Sequence, residues 1–168
     1  MKISQKFTGA LLVALLAAGV SLPAASAATK KNVAKLTFTA TTVEGLSYNS
    51  KELRGSMPSV LWFWAPWCAI CQNESKDIAA AAAKYKGKVN FVGVGALGNK
   101  EEMAHFIETN GTSNFTNIDD SSGKVWKRFG VILQPTLIFI DKNGAITTKI
   151  GPSEADFLDS KLKQLTKK

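Results

Sequence analysis

The 168-residue chain contains two cysteines and one histidine. Small exported domains with too little core are stapled by several disulfides, and one close pair, Cys68 and Cys71, excludes that architecture. A bridge between the two closes so short a loop that it restrains little of the unfolded chain. Structural zinc takes about four ligands, which one CxxC and a distant His105 do not supply. Copper delivery would recruit a third ligand from Met57, Met103 or His105, and none of these stands beside the pair. A basic stripe with interleaved aromatics is also missing, which excludes a nucleic-acid surface. Lysines cluster only at the ends, as Lys30-Lys31 and Lys161-x-Lys163 to Lys167-Lys168, and read as solvated termini. There is no internal repeat and no linker long enough to divide the chain.

Long apolar runs are confined to the start. Lys2 and Lys6 precede the uncharged stretch Phe7 to Leu22, and Pro23 leads into Ala24-Ala25-Ser26-Ala27. A basic start, a short apolar stretch and small residues at the end describe a secretory signal peptide over residues 1–27, cleaved after Ala27. The alternative is an uncleaved membrane tether. Without a cysteine near that point, lipid attachment is not expected. Removing Lys2 and Lys6 lowers the formal charge from +8 to +6. Residues 28–168 are the length of one domain, which buries about two thirds of its unfolded surface and needs no staple. The pair is better explained by chemistry than by stability.

Residues 28–35 read as a short mobile lead. Leu36 to Val43 alternates apolar and polar residues and predicts a strand. Val60-Leu61-Trp62-Phe63-Trp64 is a continuous apolar run of strand length, as expected for a strand covered on both faces. Cys68 to about Lys84 is an Ala-rich stretch without Gly or Pro and predicts a helix that stops before Gly87. A second buried strand follows at Val89 to Val94, then an amphipathic helix over Asn99 to Ile107. Phe115 to Ile118 is a short strand and Lys124 to Phe129 a short helix. Thr136 to Ile140 and Ala145 to Ile150 flank Asp141-Lys142-Asn143-Gly144, a hairpin signal. Ser153, with Asp156 three positions later, is expected to cap a last helix carrying Phe157, Leu158, Leu162 and Leu165 on one face. This order predicts an α/β fold, a mixed sheet flanked by helices.

Cys68 falls where a buried strand gives way to a helix. Free backbone N–H groups and the positive end of the helix dipole favour its thiolate, the nucleophile of disulfide exchange. Cys71, one turn on, is placed to attack a mixed disulfide at Cys68 and release the partner. Trp62 and Trp64 are expected in the core. Trp67 is expected exposed beside Cys68, as part of an apolar docking surface. His105 reads as a solvent-facing helix residue.

Phe63-Trp64-Ala65-Pro66-Trp67-Cys68-x-x-Cys71 and Val131-x-x-Gln134-Pro135-Thr136, with the strand and helix between them, resemble the thioredoxin superfamily. The likeness is to its exported TlpA/ResA-like and DsbE-like branch, and there to secreted actinobacterial DsbE/DsbF-type proteins. The resemblance implies a thioredoxin-like fold with an amino-terminal strand and a central strand-helix insertion. It implies that Pro135 is the family's cis-proline, leaving the Gln134 backbone free to hold an extended substrate. It also matches Glu74 to an acidic residue three positions after the second cysteine, where a carboxylate could relay the Cys71 proton.

The departures set further expectations. Trp62 stands where thioredoxin itself has a buried Asp, Ala69-Ile70 replaces Gly-Pro, and Gln134 replaces a Thr, Val or Ile. The implied protein is a monomeric exported oxidase of cysteine-containing proteins, without cofactor or metal, recycled by a membrane redox partner because no further cysteine is available. The alternatives are a reductase of cytochrome c maturation and, outside this class, a non-enzymatic copper-binding or peptide-binding module.

Overall fold

The computed structural model describes residues 32–167; the signal peptide expected over 1–27 and its expected cleavage after Ala27 lie outside the described residues. Seven strands form one mixed sheet: β1 (Thr39–Thr42), β2 (Ser47–Asn49), β3 (Ser59–Trp64), β4 (Asn90–Gly95), β5 (Thr116–Asp119), β6 (Thr136–Ile140) and β7 (Ile146–Ile150). Their spatial order is β2-β1-β5-β4-β3-β6-β7. The three middle strands β3, β4 and β5 run parallel, while β1 and β6 lie antiparallel beside them. Helices α1 (Ala69–Lys84), α2 (Lys100–Asn110), α3 (Lys124–Phe129) and α4 (Ala155–Thr166) complete the fold.

Every residue of β3 is buried, because the sheet has a core on each face. The two-residue repeat of a strand sorts its side chains. Val60, Trp62 and Trp64 join Ile78 of α1, Met103 and Phe106 of α2 and Leu158 and Leu162 of α4. Leu61 and Phe63 join Val92, Ile118, Trp126, Phe129 and Ile138 on the other side. The helix α2 begins with a capping box between Asn99 and Glu102 and ends at left-handed Gly111, so its limits follow from local chemistry. The Asn143-Gly144 turn is closed by Asp141 Oδ1, which accepts from the Asn143 and Ala145 N–H groups, both at 2.8 Å.

Four sequence expectations need correction. The lead does not stay loose up to residue 35: residues 32–35 form a helical turn, and the Asn32 side chain donates to the Gly144 carbonyl at 3.1 Å. Leu36, expected to open a strand, is buried in the second core, and β1 starts only at Thr39. A short partner strand, β2, and a 3-10 turn over Ser50–Arg54 were not foreseen. Finally, α4 is capped by Glu154 without a side-chain hydrogen bond, and Phe157 is half exposed instead of sharing the face of Leu158 and Leu162.

Gly93 of β4 faces Asn117 across the parallel β4–β5 pairing, and the Asn117 amide donates to the Thr112 carbonyl at 2.9 Å and the Phe115 carbonyl at 3.1 Å. A Cβ at residue 93 would collide with Asn117 Oδ1 and lie 3.0 Å from Trp64 Nε1. Gly93→Ala is expected to destabilise the fold by about 2–3 kcal/mol, the usual scale of overpacking. Its urea unfolding midpoint should fall with an unchanged slope.

Candidate active site

The carboxyl ends of β3, β4 and β5 and the start of β6 reach one edge of the sheet, since Phe63 pairs with Thr136 and Trp64 with Gly95. The segments 65–71, 96–98, 120–123 and 131–135 meet there. Cys68 and Cys71, Trp67, and Gln134-Pro135 all belong to this edge.

Cys68 is the N-cap of α1, and its Sγ accepts the Cys71 backbone N–H at 3.1 Å. Its own N–H donates to the Ala65 carbonyl at 3.1 Å and its carbonyl receives Gln72 N–H at 3.0 Å, so the sulfur is held at the helix mouth. The first turn of α1 carries no acid that would offset the helix dipole. The two cysteines form a disulfide with Cα atoms 5.2 Å apart. Cys68 is 6% exposed and Cys71 fully buried, so an approaching thiol reaches the first sulfur and not the second.

Glu74 is not the surface residue that its type would suggest. It is 5% exposed, on the same face of α1 as Cys71. The Trp62 indole Nε1 donates to its Oε1 at 2.7 Å, and the Ser153 backbone N–H donates to its Oε2 at 2.9 Å. Burial raises the carboxyl above the ordinary glutamate range, opposed by the Ser153 and Trp62 donors and by Lys149, and assisted by Asp77. Ser153, expected as a helix cap, thus spends its N–H on Glu74. Trp62 has no titratable group, yet it places an N–H donor against the carboxyl. Neither partner could be paired with Glu74 from spacing alone, because both contacts join separate elements.

Trp67 is 62% exposed, and its indole donates to the Leu97 carbonyl at 2.7 Å. Leu97 has φ of 59°, a left-handed backbone uncommon for a bulky side chain. Gly98, next in the loop, packs so closely that a Cβ would strike the Pro66 ring and sit 2.8 Å from Glu102 Oε2. On one side of Trp67 a groove of about 270 Å³ runs between Pro66, Phe106, Glu102 and His105. A second groove, over Trp126, is bordered by Leu97 and Ile132. Ile70, Leu97, Ile132 and Leu133 are exposed, as is Trp67, so apolar side chains rim this edge.

The Gln134–Pro135 peptide is cis. The Pro135 carbonyl accepts Gly151 N–H at 2.9 Å, and Thr136 Oγ1 donates to the Leu133 carbonyl at 2.7 Å. Among the described residues, no backbone group bonds to Gln134. Of the copper candidates, Met103 is buried in the core, Met57 is exposed, and His105 lies on the exposed face of α2. No three His, Cys, Asp or Glu side chains gather as a metal site among the described residues.

A carboxyl whose folded pKa is raised contributes fully to stability below its unfolded pKa, and that contribution is lost as pH rises through the folded value. Urea unfolding across pH 4 to 8 should therefore show the wild type losing stability relative to Glu74→Gln as pH rises out of the ordinary glutamate range. The difference should level off once Glu74 is ionised. A flat difference would mean that burial leaves the carboxyl unperturbed.

Residues 32–149 match the model described as the AhpC/TSA family. The soluble secreted antigen MPT53 of Mycobacterium tuberculosis is 34% identical over 160 residues, covering 94% of this chain and 88% of that protein. The thiol-disulfide oxidoreductase ResA of Bacillus cereus is 30% identical over 131 residues, 77% of this chain and 75% of its own. A structure of MTB dsbF in its mixed oxidized and reduced forms superposes with a TM-score of 0.76 at 37% identity, covering 79% of this chain and 98% of that one. A secreted Mycobacterium tuberculosis disulfide oxidoreductase homologous to E. coli DsbE follows with a TM-score of 0.74 at 32% identity and the same coverage. The chain belongs to the AhpC/TSA family and, with the Cys68–Cys71 pair at the edge of a thioredoxin-like sheet, is a thiol-disulfide oxidoreductase of the DsbE, DsbF and ResA type.

Proposed function

We propose that the protein is exported and works as a monomer that donates its Cys68–Cys71 disulfide to cysteine-containing exported proteins. The observation that carries the direction is the seat of Cys68, whose sulfur accepts a backbone N–H at the mouth of α1 with no acid in the first turn. That environment stabilises a thiolate, and a stabilised thiolate makes the reduced form the favoured one, hence the disulfide an oxidant.

The reaction runs in two exchanges. A substrate thiolate attacks Cys68 Sγ; the bond from substrate sulfur to Cys68 forms, the Cys68–Cys71 bond breaks, and Cys71 leaves as a thiolate. Glu74, one turn along α1, supplies the proton that this sulfur takes up. A second substrate thiolate then attacks the substrate sulfur of the mixed disulfide, closing the substrate's disulfide and expelling Cys68 as a thiolate. Two electrons pass from substrate to protein. A membrane redox partner takes them on, since the chain has no other cysteine. The substrate segment lies along Gln134-Pro135, and Trp67 contributes to the apolar rim on which partly folded chains dock. The export reading rests on the basic and apolar leader and on a relative whose name says secreted.

The redox equilibrium of the pair against glutathione, followed by tryptophan fluorescence, tests the direction. The expected potential lies above about −200 mV, within the range of disulfide donors. A value below it would put forward the opposite reaction, a reductase that keeps apocytochrome c cysteines reduced. In parallel, Cys71→Ser should accumulate a covalent complex with a reduced unfolded substrate after oxidation with a mixed-disulfide reagent. Cys68→Ser should form none.

A further inference from the structure

Glu74 is fixed by two donors that come from outside its own helix. Trp62 belongs to β3 and Ser153 to the turn before α4, and each takes one carboxyl oxygen, at 2.7 and 2.9 Å. The Trp62 ring cannot swing away. It stacks on Trp64 with centroids 5.8 Å apart, tilts against Phe106 at 6.0 Å and meets the edge of Phe115 at 6.4 Å. It is 1% exposed, so its N–H has no water to turn to.

We propose that Trp62 is a positioning residue of the disulfide exchange, its indole N–H holding the Glu74 carboxyl in one rotamer and in ionisable form beside Cys71. The inference rests on the reading of Glu74 as the proton partner of Cys71. A buried carboxyl without donors is held neutral, so it releases its proton reluctantly and is seldom the carboxylate that could accept one. A charge-assisted bond from an indole favours the carboxylate and leaves both states accessible. Lys149 of β7 favours the carboxylate as well, and Asp77 of α1 opposes it; Trp62 and Ser153 contribute dipoles without charge. Cys71 is the titratable group one turn before it on α1. Position 62 thereby takes part in the proton chemistry through a donor and not through an acid.

The reaction to follow is the resolution of a mixed disulfide between Cys68 and glutathione. The Cys71 thiol gives its proton to the Glu74 carboxylate, and its sulfur attacks Cys68 Sγ. The Cys68–Cys71 bond forms and glutathione leaves as a thiolate that takes a proton from water. Two measurements are made on the full protein: the pH titration of the Glu74 side-chain carboxyl by carbon NMR, and the pH profile of the resolution rate. In Trp62→Phe, both the carboxyl midpoint and the acid limb of the rate profile should move up by about one pH unit, the scale of one hydrogen bond to a charged group. Replacing Trp62 by benzothienylalanine, which keeps the ring shape and lacks only the N–H, should give the same shifts and serves if the phenylalanine variant does not fold. An unmoved carboxyl midpoint in the benzothienyl variant overturns the proposal. A midpoint that moves while the rate profile stays in place supports the clamp on the carboxyl and overturns the assignment of Glu74 as the proton partner.

Discussion

Val60, Trp62 and Trp64 fill one core while Leu61 and Phe63 fill the other, so a shift of β3 by a single residue would exchange both sets at once. The neighbouring strand β6 is likewise buried along its whole length, with Leu137 and Phe139 in one core and Ile138 and Ile140 in the other. Cys68 follows four residues after the end of β3, and α1 starts directly behind it. The position of the Cys68 sulfur is thus a result of core packing. The same commitment aims Trp62 at α1, and through it the hydrophobic core reaches the one buried carboxyl on the dithiol helix.

The burial of that carboxyl is a balance. Removing Glu74 from water favours its neutral form, and the two N–H donors and Lys149 pull the other way. A surface glutamate at the same helical position would be charged at neutral pH and would exchange protons with solvent. Enclosure keeps the Glu74 carboxyl from solvent, with Trp62 and Ser153 as its hydrogen-bond partners. Asp120 shows how differently a buried acid can be used: it is also buried, with both oxygens accepting backbone N–H groups, from Val125 at 3.0 Å and Trp126 at 2.8 Å. Those bonds hold the first N–H groups of the short helix α3, whose N-cap is Gly123, so the Asp120 carboxylate is occupied by backbone.

What could be read from the chain followed the strength of local signals. The apolar run of β3, the Ala-rich helix after Cys68 and the Asn-Gly hairpin each carry their information within a few residues, and the family resemblance added the proline at 135. The strand β2 has three residues and only Tyr48 buried, too little alternation to stand out from a loop. The helical turn at 32–35 depends on partners more than ninety residues away, including the Arg128 guanidinium that donates to the Ala34 carbonyl at 3.0 Å. Ser followed by Asp at the third place is a sound local cap signal, but the helix starts one residue later, with Glu154 as its N-cap, and the Ser153 N–H that an Asp156 side chain would accept in a capping box goes to Glu74. Trp62 looked like the loss of an acid; its bond to Glu74 spans two elements and left no trace in spacing.

The bond from Trp67 to the Leu97 carbonyl bears on how this edge meets other molecules. An exposed indole normally samples several rotamers, and a partner that presses on it must suppress that motion at about 0.5–1.5 kcal/mol for each side chain it orders. Here the ordering was accomplished during folding, when Leu97 took its left-handed backbone and its carbonyl turned to the indole. A polypeptide that docks on this rim, as proposed, would therefore meet a prepared face and would not have to supply that ordering itself.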